Sequence, residues 1–252
     1  MLKILEKIFD TNTIEIAKGE SVPLHSHTSK KQGIFLQEMF DIVKPIRSIE
    51  IGLAYGISAM FILEKHREYG SLENAHLVIE PDTISYGNAA LYNIENEGLS
   101  KYIDIRNDFS DKILAKLFLD NFRIQYAYID TTKQFDVVLQ DFYFINKIMD
   151  VGGVIIFDDC GGGWPGIQRL ARFVNTLPHY KVLAGHNKLN PSFKKHIFQS
   201  FTSILFDLIP FKNLVYPSLN FKHDTELGLD FTCIAFQKMG EDTRNWDWDK
   251  TF

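Results

Sequence analysis

Between residues 48 and 58 the chain reads Ser48-Ile49-Glu50-Ile51-Gly52-Leu53-Ala54-Tyr55-Gly56-Ile57-Ser58, an acid closing an apolar run, then two glycines four apart. Glycines so placed let the chain turn sharply and let a ligand lie against bare backbone. A dinucleotide fingerprint would read G-x-G-x-x-G and offer a pyrophosphate a helix N-terminus. Here Glu50 stands where the first glycine would be. A carboxylate there repels a pyrophosphate, but it can hold the ammonium of a zwitterionic amino-acid moiety, directly or through water. Further acids close later apolar runs: Glu80, Asp130 and the pair Asp158-Asp159. Asp130, Asp158 and Asp159 meeting in one crevice would repel one another unless a positive charge sat between them. A hard divalent cation, Mg2+ first, is the natural candidate. Such an ion can grip two neighbouring substrate oxygens and lower a hydroxyl's pKa. Both members of the pair can serve only if the strand has ended there, because successive strand side chains point to opposite faces. The run Gly161-Gly162-Gly163 favours that early end.

The elements that must position these groups follow one grammar from Ser48 onward: a short apolar strand, a glycine or an acid, then a helical stretch. Strands are expected at Ser48 to Ile51, His76 to Ile79, Ile103 to Arg106, Tyr126 to Ile129 and Val154 to Phe157. Helices are expected at Ser58 to Tyr69, Ile84 to Glu97, Asp111 to Phe122, Phe135 to Met149 and Ile167 to Leu177. Alternation of this kind builds a parallel sheet covered on both faces. Two more strands, Lys181 to Ala184 and Phe231 to Gln237, are separated by nearly fifty residues. The expected fold is a Rossmann-like, doubly wound α/β domain with a mostly parallel seven-stranded sheet. Residues 1–45 form an irregular leader and a helix from about Lys30 to Val43, residues 46–240 the domain, and residues 241–252 a tail. The stretch of about 185–230, with one or two helices around Phe193 to Phe206, reads as a lid over the substrate or as a shield on the sheet edge.

Taken together, these motifs resemble the class I S-adenosylmethionine-dependent methyltransferases, whose first motif reads E/D-x-G-x-x-x-G. The resemblance implies that Glu50, Gly52, Gly56 and Ser58 hold the cofactor. It implies that Glu80 receives the ribose hydroxyls, and that Asp108, with Ser110 behind it, meets the adenine. Taken singly, an acid such as Glu80 or Asp108 is more often a helix cap or a solvated side chain. The acids after the fourth and fifth strands are similar to those of the metal-dependent O-methyltransferases of the catechol and macrocin types. The segment Asp150 to Asp159, followed by Trp164-Pro165-Gly166-Ile167, is especially similar to the macrocin-like group. That likeness implies Asp130, Asp158 and Asp159 as metal ligands, Asp130 also beside the cofactor, and Lys133 as the base that takes the substrate proton. Beside a cation, Lys133 would have its pKa lowered. Thr131-Thr132-Lys133 departs from the Gly-Asp-His-type sequence of many macrocin-like relatives, which leaves the base open.

The chain has 252 residues, 45% hydrophobic and 23% charged, with a formal charge of -5. That is enough for one large domain, and the acidic balance argues against a nucleic-acid partner. Cys160 and Cys233 are at neither disulfide-framework nor metal spacing, which suits a cytoplasmic protein. No apolar run is long enough to span a membrane. The expected partner is a small-molecule acceptor, with a homodimer as the commonest assembly. His25 and His27 precede the leader helix as a candidate flap, and Trp164 is a candidate stacking surface. The rival readings are a metal-independent N- or O-methyltransferase, an NAD-linked oxidoreductase and a noncatalytic protein that keeps the fold.

Overall fold

The computed structural model describes residues 1–161, 163–189 and 223–248. Five strands lie in parallel: β3 (Ser48–Ile51), β4 (His76–Ile79), β5 (Ile103–Arg106), β6 (Ile124–Ile129) and β7 (Met149–Phe157). Two more, β8 (Tyr180–Lys188) and β9 (Phe231–Lys238), extend the sheet in antiparallel fashion. The spatial order is β5-β4-β3-β6-β7-β9-β8. The order reverses between β3 and β6, and a ligand crevice opens at that point, beyond the carboxyl ends of the strands.

Alternation along the strands divides the core. Ile49, Ile51, Leu77, Ile79 and Ile129 face α5 (Ser110–Leu119), α6 (Phe135–Ile148) and α7 (Pro165–Thr176). Val78, Tyr126 and Tyr128 face the other layer, with α2 (Lys30–Val43), α3 (Ile57–Glu68) and α4 (Ala89–Asn96). Glu50 shares the parity of the second set, so its side chain is buried on the α3 side. The end of α6 runs directly into β7, and the buried Lys238 ammonium satisfies the carbonyls there, donating to Asn146 at 2.9 Å and Met149 at 2.8 Å.

Two expectations change. The leader is ordered: α1 (Lys3–Thr11) and the hairpin of β1 (Thr13–Ala17) and β2 (Glu20–Pro23) bury Leu5, Ile8 and Ile14 against Met60 and Ala90. The three-residue spacing of Leu2, Leu5 and Ile8 is the helical signal, hidden by the charges between them. The helix expected over Ile84 to Glu97 breaks into a 3-10 turn (Ile84–Tyr86) and α4, because Gly87 and Asn88 both take left-handed backbone. Past β8 the chain is described again from His223, with a short helix α8 (Asp224–Leu227) bound to α7 by the Asp224–Arg172 ion pair at 2.8 Å. The helices expected around Phe193 to Phe206 lie outside the described residues. No helix among the described residues is long and apolar enough to cross a membrane.

Candidate active site

The crevice is a cleft of about 980 Å³ whose walls are the loops leaving β3, β4, β6 and β7. That is at the upper end of the roughly 300–1,000 Å³ usual for small-molecule sites. Gly52 forms its floor with φ of +94°, and a Cβ there would lie 2.0 Å from the carbonyl oxygen of Asp130. Only glycine fits a position that is both left-handed and pressed against the next loop. Glu80 lines the cleft and also ties the turn: one oxygen accepts from Leu53 N–H at 2.9 Å, the other from Asp82 N–H at 2.9 Å. Gly56 is off the wall. Its φ is +76°, and a Cβ would lie 2.6 Å from that of Ala90, so it serves the close packing of α3 on α4.

Glu50 also differs from expectation. It does not reach the cleft; it lies fully buried behind the turn, where it accepts from Ser58 Oγ and pairs with His76 Nε2 at 3.0 Å. Burial pushes its carboxyl up to about 8, against the Ser58 hydrogen bond and with help from the charges of Asp130 and Glu80. Of that pair, Ser58 is the member that reaches open space. With Gly52 and Asp130 it lines an annex of about 30 Å³ that adjoins the main cleft. Asp108 likewise stands off the wall, where its carboxylate accepts from Phe109 N–H and the Lys112 ammonium, both at 2.8 Å. The loop instead turns Phe109 and Ser110 into the cleft.

Across the cleft Asp130, Asp158 and Asp159 share the opposite wall. β7 ends at Phe157 and Asp159 takes left-handed backbone with φ of 55°, so the adjacent acids face the same space. An ammonium already sits among them: Lys133 Nζ is 2.6 Å from Asp130 and 2.9 Å from Asp159. Burial pulls the Lys133 pKa down, but the charges and hydrogen bonds of these two carboxylates outweigh it and hold it above the ordinary lysine value. The lowering expected of Lys133 beside a cation is therefore absent where its neighbours are two carboxylates. Asp158 stays outside the lysine's ion pairs, one of its oxygens accepting from Gln32 Nε2 at 2.7 Å and from Tyr128 OH at 3.0 Å. Burial, then repulsion from Asp130 and Asp159, raises its pKa to about 6.

Three carboxylates have the right donor chemistry for Mg2+, but their arrangement does not fit it. Lys133 fills the space between two of them, Asp158 is engaged by Gln32 and Tyr128, and no group of three metal-binding side chains is assembled among the described residues.

Gln32, from the first turn of α2, and Tyr128, on β6, were not anticipated. Gln32 carries no local signal, since only the packing of α2 across the sheet brings it to Asp158, 126 positions away. Of the flap histidines, His27 lines the cleft, while His25 packs edge-on against Tyr55 at 5.4 Å. Trp164 lines the cleft half-exposed.

Residues 49–160 match the family model described as a methyltransferase domain. The fold is similar to an O-methyltransferase from Bacillus cereus solved in complex with SAH, at 22% identity and a TM-score of 0.56, covering 73% of this chain and 83% of that one. It is similar to the Streptomyces achromogenes O-methyltransferase involved in tomaymycin synthesis, solved in complex with SAM, at 15% identity and 0.57, covering 73% and 82%. An SAH-bound methyltransferase from Podospora anserina aligns at 15% identity and 0.57, covering 77% and 85%. No curated protein sequence matches the chain.

Proposed function

From the match of residues 49–160 to a methyltransferase-domain model, we propose that this chain moves the methyl group of S-adenosylmethionine to a hydroxyl of a small acceptor. One observation carries the reading: a single cleft joins the Gly52–Glu80 wall to the Asp130–Lys133–Asp158 wall. The first suits the cofactor. Glu80 suits the ribose, Phe109 and Ser110 the base, and the Ser58 annex the amino-acid end. The acceptor then lies toward Asp158, under Trp164 and His27. Fold neighbours solved with SAM or SAH and described as O-methyltransferases support the same assignment.

When bound, the sulfonium supplies an already activated methyl group. The chain's own residues must align the acceptor and take its proton. Asp158 is the group suited to that task. Tyr128 and Gln32 both hold the same one of its oxygens, and its pKa of about 6 keeps it ionised yet basic near neutral pH. Lys133 balances Asp130 and Asp159 so that Asp158 can ionise at all. In this reading proton removal needs no Mg2+, because the ammonium supplies the positive charge expected of it.

Titration calorimetry with S-adenosylmethionine tests the cofactor half. Saturable binding that disappears in Gly52→Arg is expected, and a folded protein that binds nothing would overturn the reading. A screen of phenols and sugars against amines, followed by radiolabelled methyl transfer, tests the acceptor half; turnover confined to amines would reject it.

A further inference from the structure

Behind the glycine turn lies a line of buried polar groups that the reaction itself does not use. Ser71 Oγ is 2.8 Å from His66 Nδ1, and His66 Nε2 is 2.7 Å from Ser48 Oγ. Ser48 Oγ is 2.8 Å from His76 Nδ1, and His76 Nε2 is 3.0 Å from Glu50. Ser58 then joins Glu50 to the annex. Ser48, His66, His76 and Glu50 are all at 0% exposure, while Ser71 is half-buried, beyond the end of α3. The line therefore runs along the strands from the edge where they begin to the edge where the cofactor site opens.

The donors and acceptors in this line can be ordered in two ways. With Glu50 ionised, His76 Nε2–H donates to it, Ser48 donates to His76, His66 Nε2–H donates to Ser48, and Ser71 donates to His66. With Glu50 neutral, its O–H donates to His76 and every other bond reverses. Both patterns satisfy each group with both imidazoles neutral, and burial holds both rings far on the neutral side, at about 3. One hop per bond converts the second pattern into the first and delivers one proton at Ser71. No group gains or loses net charge except Glu50.

We propose that Ser71, His66, Ser48 and His76 form a proton path through which Glu50 ionises when the cofactor's ammonium-bearing end fills the annex, the proton leaving on the far side of the sheet. The proposal rests on the cofactor reading above. On its other sides Glu50 has no exit for a proton once the cofactor fills the annex, onto which the Ser58 hydroxyl opens. Ser58 faces it from α3, Tyr126 and Tyr128 from β6, and the carboxylates of Asp130 and Glu80 from the loops after β6 and β4. Neither tyrosine can take its proton, and both carboxylates oppose its ionisation until a cation arrives. His76, Ser48 and His66 are positioning residues, since none touches the cleft.

The test is titration calorimetry of the full chain with S-adenosylhomocysteine in phosphate and in Tris, whose ionisation enthalpies differ. Enthalpies that differ as for release of up to about one proton near pH 7 are expected. The affinity should rise by up to about tenfold per pH unit below about pH 8 and level off above it, and Glu50→Gln should abolish both effects. Equal enthalpies with normal saturable binding would overturn the path and leave the cofactor reading standing, whereas no binding in either buffer would overturn the cofactor reading itself. Stopped-flow binding addresses the route. At pH 7 Ser48→Ala, or His66→Gln, which keeps a hydrogen-bonding group in place, should associate at least about tenfold more slowly, with recovery above about pH 9 and with Ser48→Thr. Wild-type association rates in the folded variants at pH 7 would overturn it.

Discussion

In the proposed reaction Asp158 and Lys133 divide the work that a lysine base and a metal were expected to perform. The lysine is paired to two carboxylates, which stabilise its charged form, while the aspartate is crowded by like charges, which destabilise its own. A base must be deprotonated to act, so the rate of methyl transfer should rise with pH through about 6 and then level off, as a kcat–pH profile would record. Asp158→Asn should lower kcat by roughly 10²–10⁴-fold and remove that limb, while calorimetry still registers cofactor binding. Because Lys133 already neutralises Asp130 and Asp159, dialysis against EDTA should leave turnover unchanged; activity that is lost and then restored by Mg2+ would show that the lysine gives way to an ion.

At the scale of elements, the site depends on close approach at two glycines of one turn, and the two fail differently. Gly52→Ala drives a methyl into the Asp130 carbonyl, on the cleft floor. It should weaken S-adenosylmethionine binding at least about tenfold, the equivalent of about 1.4 kcal/mol. Gly56→Ala instead meets Ala90 behind the cleft, and with its left-handed backbone should cost about 1–3 kcal/mol of stability. Adding Ala90→Gly should return only part of that loss in a denaturant titration, since it relieves the contact and not the φ. The leader belongs to the same layer: α2 delivers Gln32 to Asp158, and the segment before it brings His27 to the cleft.

For the whole molecule, burial of Glu50 has a thermodynamic sign. Its folded pKa, about 8, lies above the unfolded value near 4.5, so the folded chain retains a proton that the unfolded chain releases. Stability from this group is fully present below about 4.5 and is lost as pH rises toward 8. His66 and His76 act oppositely: lowered to about 3, they contribute stability that is complete above their unfolded value of 6.5 and is lost as pH falls toward 3, so they add no pH dependence above 6.5. Between pH 6.5 and 8 Glu50 is therefore the group to watch. The melting temperature should decline across that interval in the wild type and flatten in Glu50→Gln, as differential scanning calorimetry at matched ionic strength would record.

Much of this architecture was legible in order of residues alone. A strand announces itself by a short apolar run and a turn by its glycines, so the five parallel strands and the left-handed turn at Gly52 follow from local composition, as do the acids at the strand ends. The pairing of the buried Glu50 with His76, the ammonium of Lys133 set between two aspartates and the reach of Gln32 to Asp158 were decided only by the tertiary structure. Each joins groups distant in the chain, or depends on which face of a strand or helix a side chain takes once the layers pack. The direction of a pKa shift belongs to that second class, because burial and neighbouring charge exist only when the chain has folded.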